Sequence, residues 1–288
     1  MVNRERLVGS FLELVKVNSQ TKNEREMADY LKGKLEEIGL VVTEDRAGDS
    51  IGGNCGNLIG IMEGQADKPA LLFSAHMDRV TPGENIQPVV EGDIVKSSGD
   101  TILASDDCAG LAGILEMLHV IKEKSLPHGR LEVVFTIAEE GGLNGAKALD
   151  IDSLQAKLGI ILDSTGDAGI VINQAPAQDE IIARIFGQAA HAGVEPEKGT
   201  NAIMVAAKAI SMMDIGRLDE ETTANIGIIN GGKATNIVPD YVEVRGETRS
   251  LVEEKLVKAT EAMVKSFVEA AGLENARVEL DVNRLYPA

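Results

Sequence analysis

The apolar positions of the chain change period several times, and each change marks an element. Over MVNRERLVGSFLELVKV the charged and apolar residues interleave at helical spacing, which predicts an amphipathic helix. Thr21 and Glu24 have the spacing of a capping box. Met27, Leu31, Leu35 and Ile38 then recur at helical spacing until Gly39, so a second helix is expected to open at that box. LVVTE, GNLIGIME and ALLFSA are short apolar runs of strand character. CAGLAGILEMLHVIKE predicts a long helix, LEVVFTIAEE and LGIILDS two further strands, and LNGAKALD a short helix between them. Strands that alternate with helices and are apolar on both faces predict a mainly parallel sheet with helices on both faces.

From about Gln178 the rhythm changes. DEIIARIFGQ predicts a strand, NAIMVAAKAISMM a helix, and TANIGIING and YVEVRGETRS two strands around a turn with Pro239 and Asp240. LVEEKLVKATEAMVKSFVEAAG is a long helix and ARVELDVN a last strand. That order, β-α-β-β-α-β, is the ferredoxin-like unit. The fold class expected is therefore α/β in two domains, residues 1–177 and a ferredoxin-like domain over residues 178–282, joined near Ala175 to Ala177.

Composition narrows the function classes. The chain of 288 residues can bury a substantial core, and no apolar run approaches the roughly 20 residues that span a bilayer. Charges interrupt the N-terminal segment, so it does not read as a signal peptide. Cys55 and Cys108, the two cysteines, make neither a disulfide framework nor a cysteine zinc site, and a cytoplasmic location is expected. With 28 basic against 46 acidic residues the net charge is −18, which argues against nucleic acid and anionic membrane as partners.

The acidic residues are not spread evenly. Three expected strands finish on metal-type ligands: LLFSAHMD on His76 and Asp78, VVFTIAEE on Glu139 and Glu140, and GIILD on Asp163. Asp106 and Asp107 lie in the loop that opens the helix starting near Cys108. In an open parallel sheet the carboxyl ends of the strands border the ligand crevice. Carboxylates gathered there repel one another and are driven towards protonation unless cations pair with them. Each piece alone has a plain structural explanation, such as a helix N-cap for Asp106 and Asp107. Their joint occurrence at strand ends points to divalent metal. An imidazole among carboxylates suits zinc, with manganese or cobalt as substitutes, and this many ligands suit two ions roughly 3.5–4 Å apart.

SAHMDRV, SDDCAG, AEEGGLNGAKAL, LDSTG and AAHAGVEPEKGTNAI together resemble the dinuclear zinc peptidases that include peptidase T, carboxypeptidase G and acetylornithine deacetylase, most of all the peptidase T-like branch. The resemblance implies roles. His76 and Asp163 would ligate one ion, Glu140 the other, and Asp106 both, while Asp78 would orient His76. Glu139 would be the general base. A cis peptide is implied between Asp106 and Asp107. His191 would reach a neighbouring subunit's site and stabilise the oxyanion, and Asn236 and Arg249 would hold the backbone and carboxylate of a small peptide substrate. The first domain would then be catalytic, and the second a lid through which a homodimer forms. The activity implied is release of the N-terminal residue of a tripeptide, with an N-acyl amino acid deacylase or carboxypeptidase as the alternative within the family.

Two positions depart from the family pattern. Cys108 stands where relatives commonly have lysine or asparagine, and reads as a small residue at a helix start. The family also closes its second metal site with a histidine near the C-terminus. Here VNRLYPA, residues 282–288, begins the return to the first domain, so the chain is expected to be truncated and its second metal site incomplete. His119, on the long helix, and His128, beside Pro127 in a turn, do not resemble the missing ligand. A catalytically silent metal-binding or dimerisation fragment is the alternative from a different class.

Overall fold

The structure, a computed structural model, describes residues 1–164, 166–167 and 169–287. Thr165, within the LDSTG stretch, and Ala288, at the end of the expected return segment, lie outside the described residues. The chain divides into two compact units, Met1–Ala168 and Gly169–Ala288. The sequence reading sets the junction a few residues later, near Ala175 to Ala177.

The first unit runs α1 (Arg4–Leu14), α2 (Arg25–Ile38), β1 (Val41–Glu44), α3 (Ala47–Ile51), β2 (Leu58–Met62), β3 (Leu71–His76), β4 (Pro88–Glu91), β5 (Ile94–Ser97), α4 (Ser105–Lys124), β6 (Leu131–Thr136), α5 (Asn144–Ala148) and β7 (Leu158–Ile161). Its main sheet has the order β1-β2-β6-β3-β7. β6, β3 and β7 are mutually parallel, and β2 and β1 continue the sheet antiparallel. The three strands expected to carry ligands are thus the three that share a direction, so their carboxyl ends open on one edge. β4 and β5 form a separate hairpin.

The core explains the helical spacing. Met27, Leu31, Leu35 and Ile38 of α2 are all buried, together with Leu111, Ile114, Leu115 and Leu118 of α4. β6 lies between β2 and β3 and is buried throughout. β7 has β3 as its one strand neighbour among the described residues, and Leu158, Ile160 and Ile161 are exposed where the apolar run predicts burial on both faces.

One buried cation joins this core to the strand ends. Arg79 is 1% exposed and has no carboxylate partner among the described residues. Its Nη1 donates to the Val15 carbonyl at 2.9 Å and its Nη2 to that of Leu14 at 3.2 Å, the end of α1, while Nε donates to Ser19 Oγ at 3.0 Å. A positive charge at a helix C-terminus is well placed, because the last carbonyls have no intrahelical donor. Burial nevertheless pulls the guanidinium pKa down from its usual value.

The second unit runs β8 (Ala177–Phe186), α6 (Ala202–Ser211), β9 (Gly216–Arg217), β10 (Thr222–Gly231), β11 (Tyr241–Ser250), α7 (Glu253–Leu273) and β12 (Arg277–Tyr286). Leaving aside the two-residue β9, this is the expected β-α-β-β-α-β order, and the sheet order β12-β8-β11-β10-β9 is antiparallel throughout. Ile181, Ala183 and Ile185 of β8 and Val242 and Val244 of β11 meet Val205 and Ala209 of α6 and Met263, Phe267 and Ala270 of α7 in a second core. β12 stays paired with β8 as far as Tyr286, so residues 283–286, read from sequence as leaving the domain, belong to its sheet. Among the described residues no helix is long and apolar enough to cross a membrane.

Arg79→Leu leaves the Leu14 and Val15 carbonyls unpaired in the core. The expected loss is about 3 kcal/mol of unfolding free energy, read from denaturant midpoints; a loss below about 0.5 kcal/mol would show that Arg79 does not tie α1 to the strand end.

Candidate active site

The site grows from the way β3 and β6 end. β3 delivers His76, 2% exposed, as its last residue. The His76 Nε2 lies 2.7 Å from Asp106 Oδ1, and its Nδ1 lies 2.9 Å from the Asp78 carbonyl and 3.4 Å from Asp78 Oδ1. Asp78 therefore faces the ring nitrogen that points away from the acidic cluster, as an orienting carboxylate should.

Asp78 also holds the opposite strand end. Its Oδ1 accepts the Glu139 amide at 2.8 Å and its Oδ2 the Glu140 amide at 3.2 Å, while Thr21 Oγ1 donates to Oδ2 at 2.8 Å. Burial alone would raise its pKa, but the bonds from His76, Thr21 and the Glu139 amide overcome this and hold the carboxyl below its usual value.

The Asp106–Asp107 peptide is cis, as the resemblance implies. The two carboxylates then part company. Asp106 is exposed and faces His76, whereas Asp107 is buried and turns inward. Asp107 Oδ1 accepts the Gly110 amide at 3.0 Å, capping α4, and its Oδ2 accepts the His76 amide at 3.2 Å. A Cβ on Gly110 would lie 2.4 Å from Asp107 Oδ1 and 2.5 Å from the Leu162 carbonyl, so only glycine lets α4 approach this closely. Cys108 is buried beneath, its Sγ 3.7 Å from Arg79 Nη2, and burial pushes its thiol up to about 11. It is packed where the sequence reading puts it, as a small residue at the helix start.

Ligand atoms of His76, Asp106 and Glu140 lie within 4.8 Å of one another, and so do those of His76, Glu139 and Asp163. All four expected ligands and the expected base thus converge, in two overlapping groups that share His76. Among the described residues no second histidine joins either group; His119 lies on α4, and His128 Nδ1 is 2.7 Å from the Gly129 carbonyl. One imidazole nitrogen among carboxylate oxygens is a donor set that fits divalent zinc, cobalt or manganese. The electrostatics agree: burial first, and then neighbouring carboxylates, raise the pKa values of Glu139, Glu140 and Asp163. Burial likewise lifts Asp107 to about 7.

His191, Asn236 and Arg249 belong to the second unit. His191 and Asn236 are neighbours there: His191 bridges Ile237, and the Ala192 amide donates to the Asn236 carbonyl at 3.0 Å. Both are exposed. Arg249 lies towards the far end of β11, paired in register with Gln178, and its fork holds Glu247 through Nε at 2.9 Å and Nη2 at 3.0 Å. Eight residues of strand, roughly 25 Å, separate Tyr241 from Arg249, so one copy of this unit does not bring Arg249 to His191 and Asn236.

The sequence reading missed four residues that build the site. Thr21 and Glu24 are not a capping box. α2 starts at Arg25, Thr21 bonds Asp78, and the Glu24 side chain makes no cap bond to the helix. Their spacing suits a cap, but both side chains find partners distant in sequence. Asn57, fully buried, accepts the Ile137 amide at 3.1 Å and donates to the Gly145 carbonyl at 2.9 Å. Asn57 lies in no quoted motif and Arg79 only at the edge of SAHMDRV; the signal for both was a polar residue set against an apolar run.

Metal-free, His76 has its pKa pushed up to about 10, since bonds to Asp78 and Asp106 outweigh the burial that opposes charge. It binds its proton more tightly folded than unfolded, where about 6.5 applies. Its contribution to stability is complete below that unfolded value and is lost as pH rises through about 10. Denaturation midpoints of metal-free protein should therefore fall from pH 7 to 10, and fall less in His76→Asn. An equal fall in both would remove His76 as the cause.

Comparison with known proteins agrees with this geometry. A model described as "Peptidase dimerisation domain" matches residues 180–275, and one described as "Peptidase family M28" matches residues 57–207. Protein YqjE of Bacillus subtilis (strain 168) is 48% identical over 287 residues, 100% of this chain and 77% of its own length. The crystal structure of aminopeptidase PepT from Bacillus cereus ATCC 10987 superposes with a TM-score of 0.93 at 45% identity, over 99% of this chain and 77% of that one. A tripeptidase structure from Staphylococcus aureus gives 0.96 at 43% identity, over 100% and 77%. With identities this high over most of both partners, and with histidine and carboxylates gathered where three parallel strands end, the chain belongs to the peptidase T-like family of metallopeptidases and is a hydrolase by family.

Proposed function

We propose that this chain hydrolyses small peptides, releasing the N-terminal residue of a tripeptide, with two divalent cations as cofactors. The observation that carries the reading is the convergence of His76, Asp106, Glu140 and Asp163, with Glu139 among them, in two overlapping groups. His76 and Asp163 would hold one cation, Glu140 the other, and Asp106 both; zinc suits the donors, with cobalt or manganese as substitutes. Such cations polarise a scissile carbonyl and lower the pKa of water.

The remaining chemistry belongs to the side chains. Asp78 fixes the orientation of His76. Glu139 takes a proton from the attacking water and gives it to the leaving amine, and burial, by raising its pKa, makes it a stronger base. His191 would donate a hydrogen bond to the carbonyl oxygen as charge develops there, while Asn236 and Arg249 hold the substrate's backbone and carboxylate. Arg249 would exchange Glu247 for that carboxylate, a like-for-like bidentate partner. Because Arg249 lies at the far end of β11 from His191 and Asn236, a small peptide touching all three takes them from two copies of the chain.

That requirement fits a homodimer built on the second unit. β10 pairs with β9 at Thr223 and Ala224 and beyond these has no partner on that side among the described residues. Ile228 and Ile229 of β10 are 55% and 53% exposed, and Met204 of α6 is 63% exposed. An open strand edge flanked by apolar side chains can pair with a second copy of itself.

Two outcomes test the reading. Amino-acid release from a tripeptide panel, with zinc, cobalt or manganese added, should fall about 10²–10⁴-fold in Glu139→Gln while cobalt still binds. Undiminished release would refute the base; release from N-acyl amino acids alone would make the protein a deacylase. Met204→Glu with Ile228→Lys should give monomers by sedimentation and lose release with them; a dimer that persists would place the interface elsewhere.

A further inference from the structure

Beyond the expected ligands and base, one buried carboxyl has a cost that its own helix does not explain. Glu24 is fully buried and has no cationic partner among the described residues. Its Oε1 accepts the Lys22 amide at 2.8 Å and the Ala138 amide at 3.1 Å, and its Oε2 has no hydrogen-bond partner among the described residues. A carboxyl buried at this depth is accounted for by the backbone amides it holds, one of them 114 residues away.

The function lies in what Ala138 does. Beyond β6 the chain leaves its ladder, and Ala138 takes φ 47°, a left-handed conformation that costs a residue with a Cβ about 1–2 kcal/mol. The four amides of this stretch are each taken by a buried side chain: Ile137 by Asn57 Oδ1, Ala138 by Glu24 Oε1, and Glu139 and Glu140 by Asp78. Asp78 already serves His76, and Asn57 is also committed to Asp45 and the Gly145 carbonyl. Glu24 holds the unfavourable residue itself, immediately before Glu139.

We propose that Glu24 is a positioning residue for hydrolysis: by holding the Ala138 amide it fixes the turn that presents Glu139 and Glu140 to the donor groups. The proposal rests on the peptidase reading for its effect on turnover. Its effect on the turn and on metal binding stands apart from turnover.

The test uses the intact protein and three variants. Glu24→Gln keeps an acceptor oxygen, Glu24→Met fills the volume without one, and Glu24→Asp keeps the charge but falls short by a methylene. Amide hydrogen exchange at Ala138, the absorption spectrum on cobalt titration, and kcat and KM are measured on each, beside the thermal midpoint. Exchange at Ala138 should rise about 10-fold or more in the Met and Asp variants, with a changed cobalt spectrum. Their kcat should drop about 10–100-fold with KM within threefold, as for other groups that hold a site in place. Glu24→Gln should match the parent within threefold in every reading. A Met or Asp variant that exchanges and titrates like the parent overturns the proposal, and so does a Gln variant as impaired as the others. If Glu24→Met does not fold, Glu24→Asp decides. If the parent hydrolyses no peptide, the peptidase reading fails while exchange and the cobalt spectrum still decide the role of Glu24.

Discussion

Everything at this site depends on how a fully buried strand is allowed to stop. β6 ends in the middle of the first unit's core, and the amides of Ile137 to Glu140 leave the sheet before reaching solvent. An amide stranded there would cost as much as a lost hydrogen bond. Asn57, Glu24 and Asp78 supply the acceptors, and each comes from a different part of the chain. The backbone of the strand end is thus satisfied by side chains and not by a neighbouring strand. Two glutamates can then be aimed at a histidine on the adjacent parallel strand.

The same economy governs charge. Bringing Glu139, Glu140, Asp163 and Asp106 around His76 is unfavourable in a partly buried setting, and the raised pKa values of the first three express their burial first and that repulsion second. Asp78 is held low because it is fully hydrogen-bonded, and so it can serve as a permanent anion beside the imidazole. Asp107 escapes the cluster by turning inward to cap α4. Neighbouring acidic residues thus divide into those that hold backbone amides, Asp78 and Asp107, and those that gather around His76, and the difference is made by which backbone amides they reach.

Much of this was legible in the sequence. The helical and strand periods located most elements of both units, and three apolar runs ending on His76, Glu139–Glu140 and Asp163 marked the edge where these side chains meet. The β4–β5 hairpin and α3 were not legible, being short and without a strong period. Thr21 and Glu24 were misread, because a capping box and a pair of long-range anchors have the same spacing. Arg79 and Asn57 were invisible for a related reason: a buried polar residue declares itself only through partners, and theirs are up to 88 residues away.

The sequence by itself determined the order of elements, the parallel strands and the chemistry at their ends, because period and residue type are local properties of the chain. Tertiary structure decided which acidic residues gather around His76 and which hold backbone amides. It also decided which polar side chains hold the turn after β6, and that Arg249 lies far along β11 from His191 and Asn236. Those roles depend on distances between segments remote in sequence, set only when the strands take their register and the core closes around them.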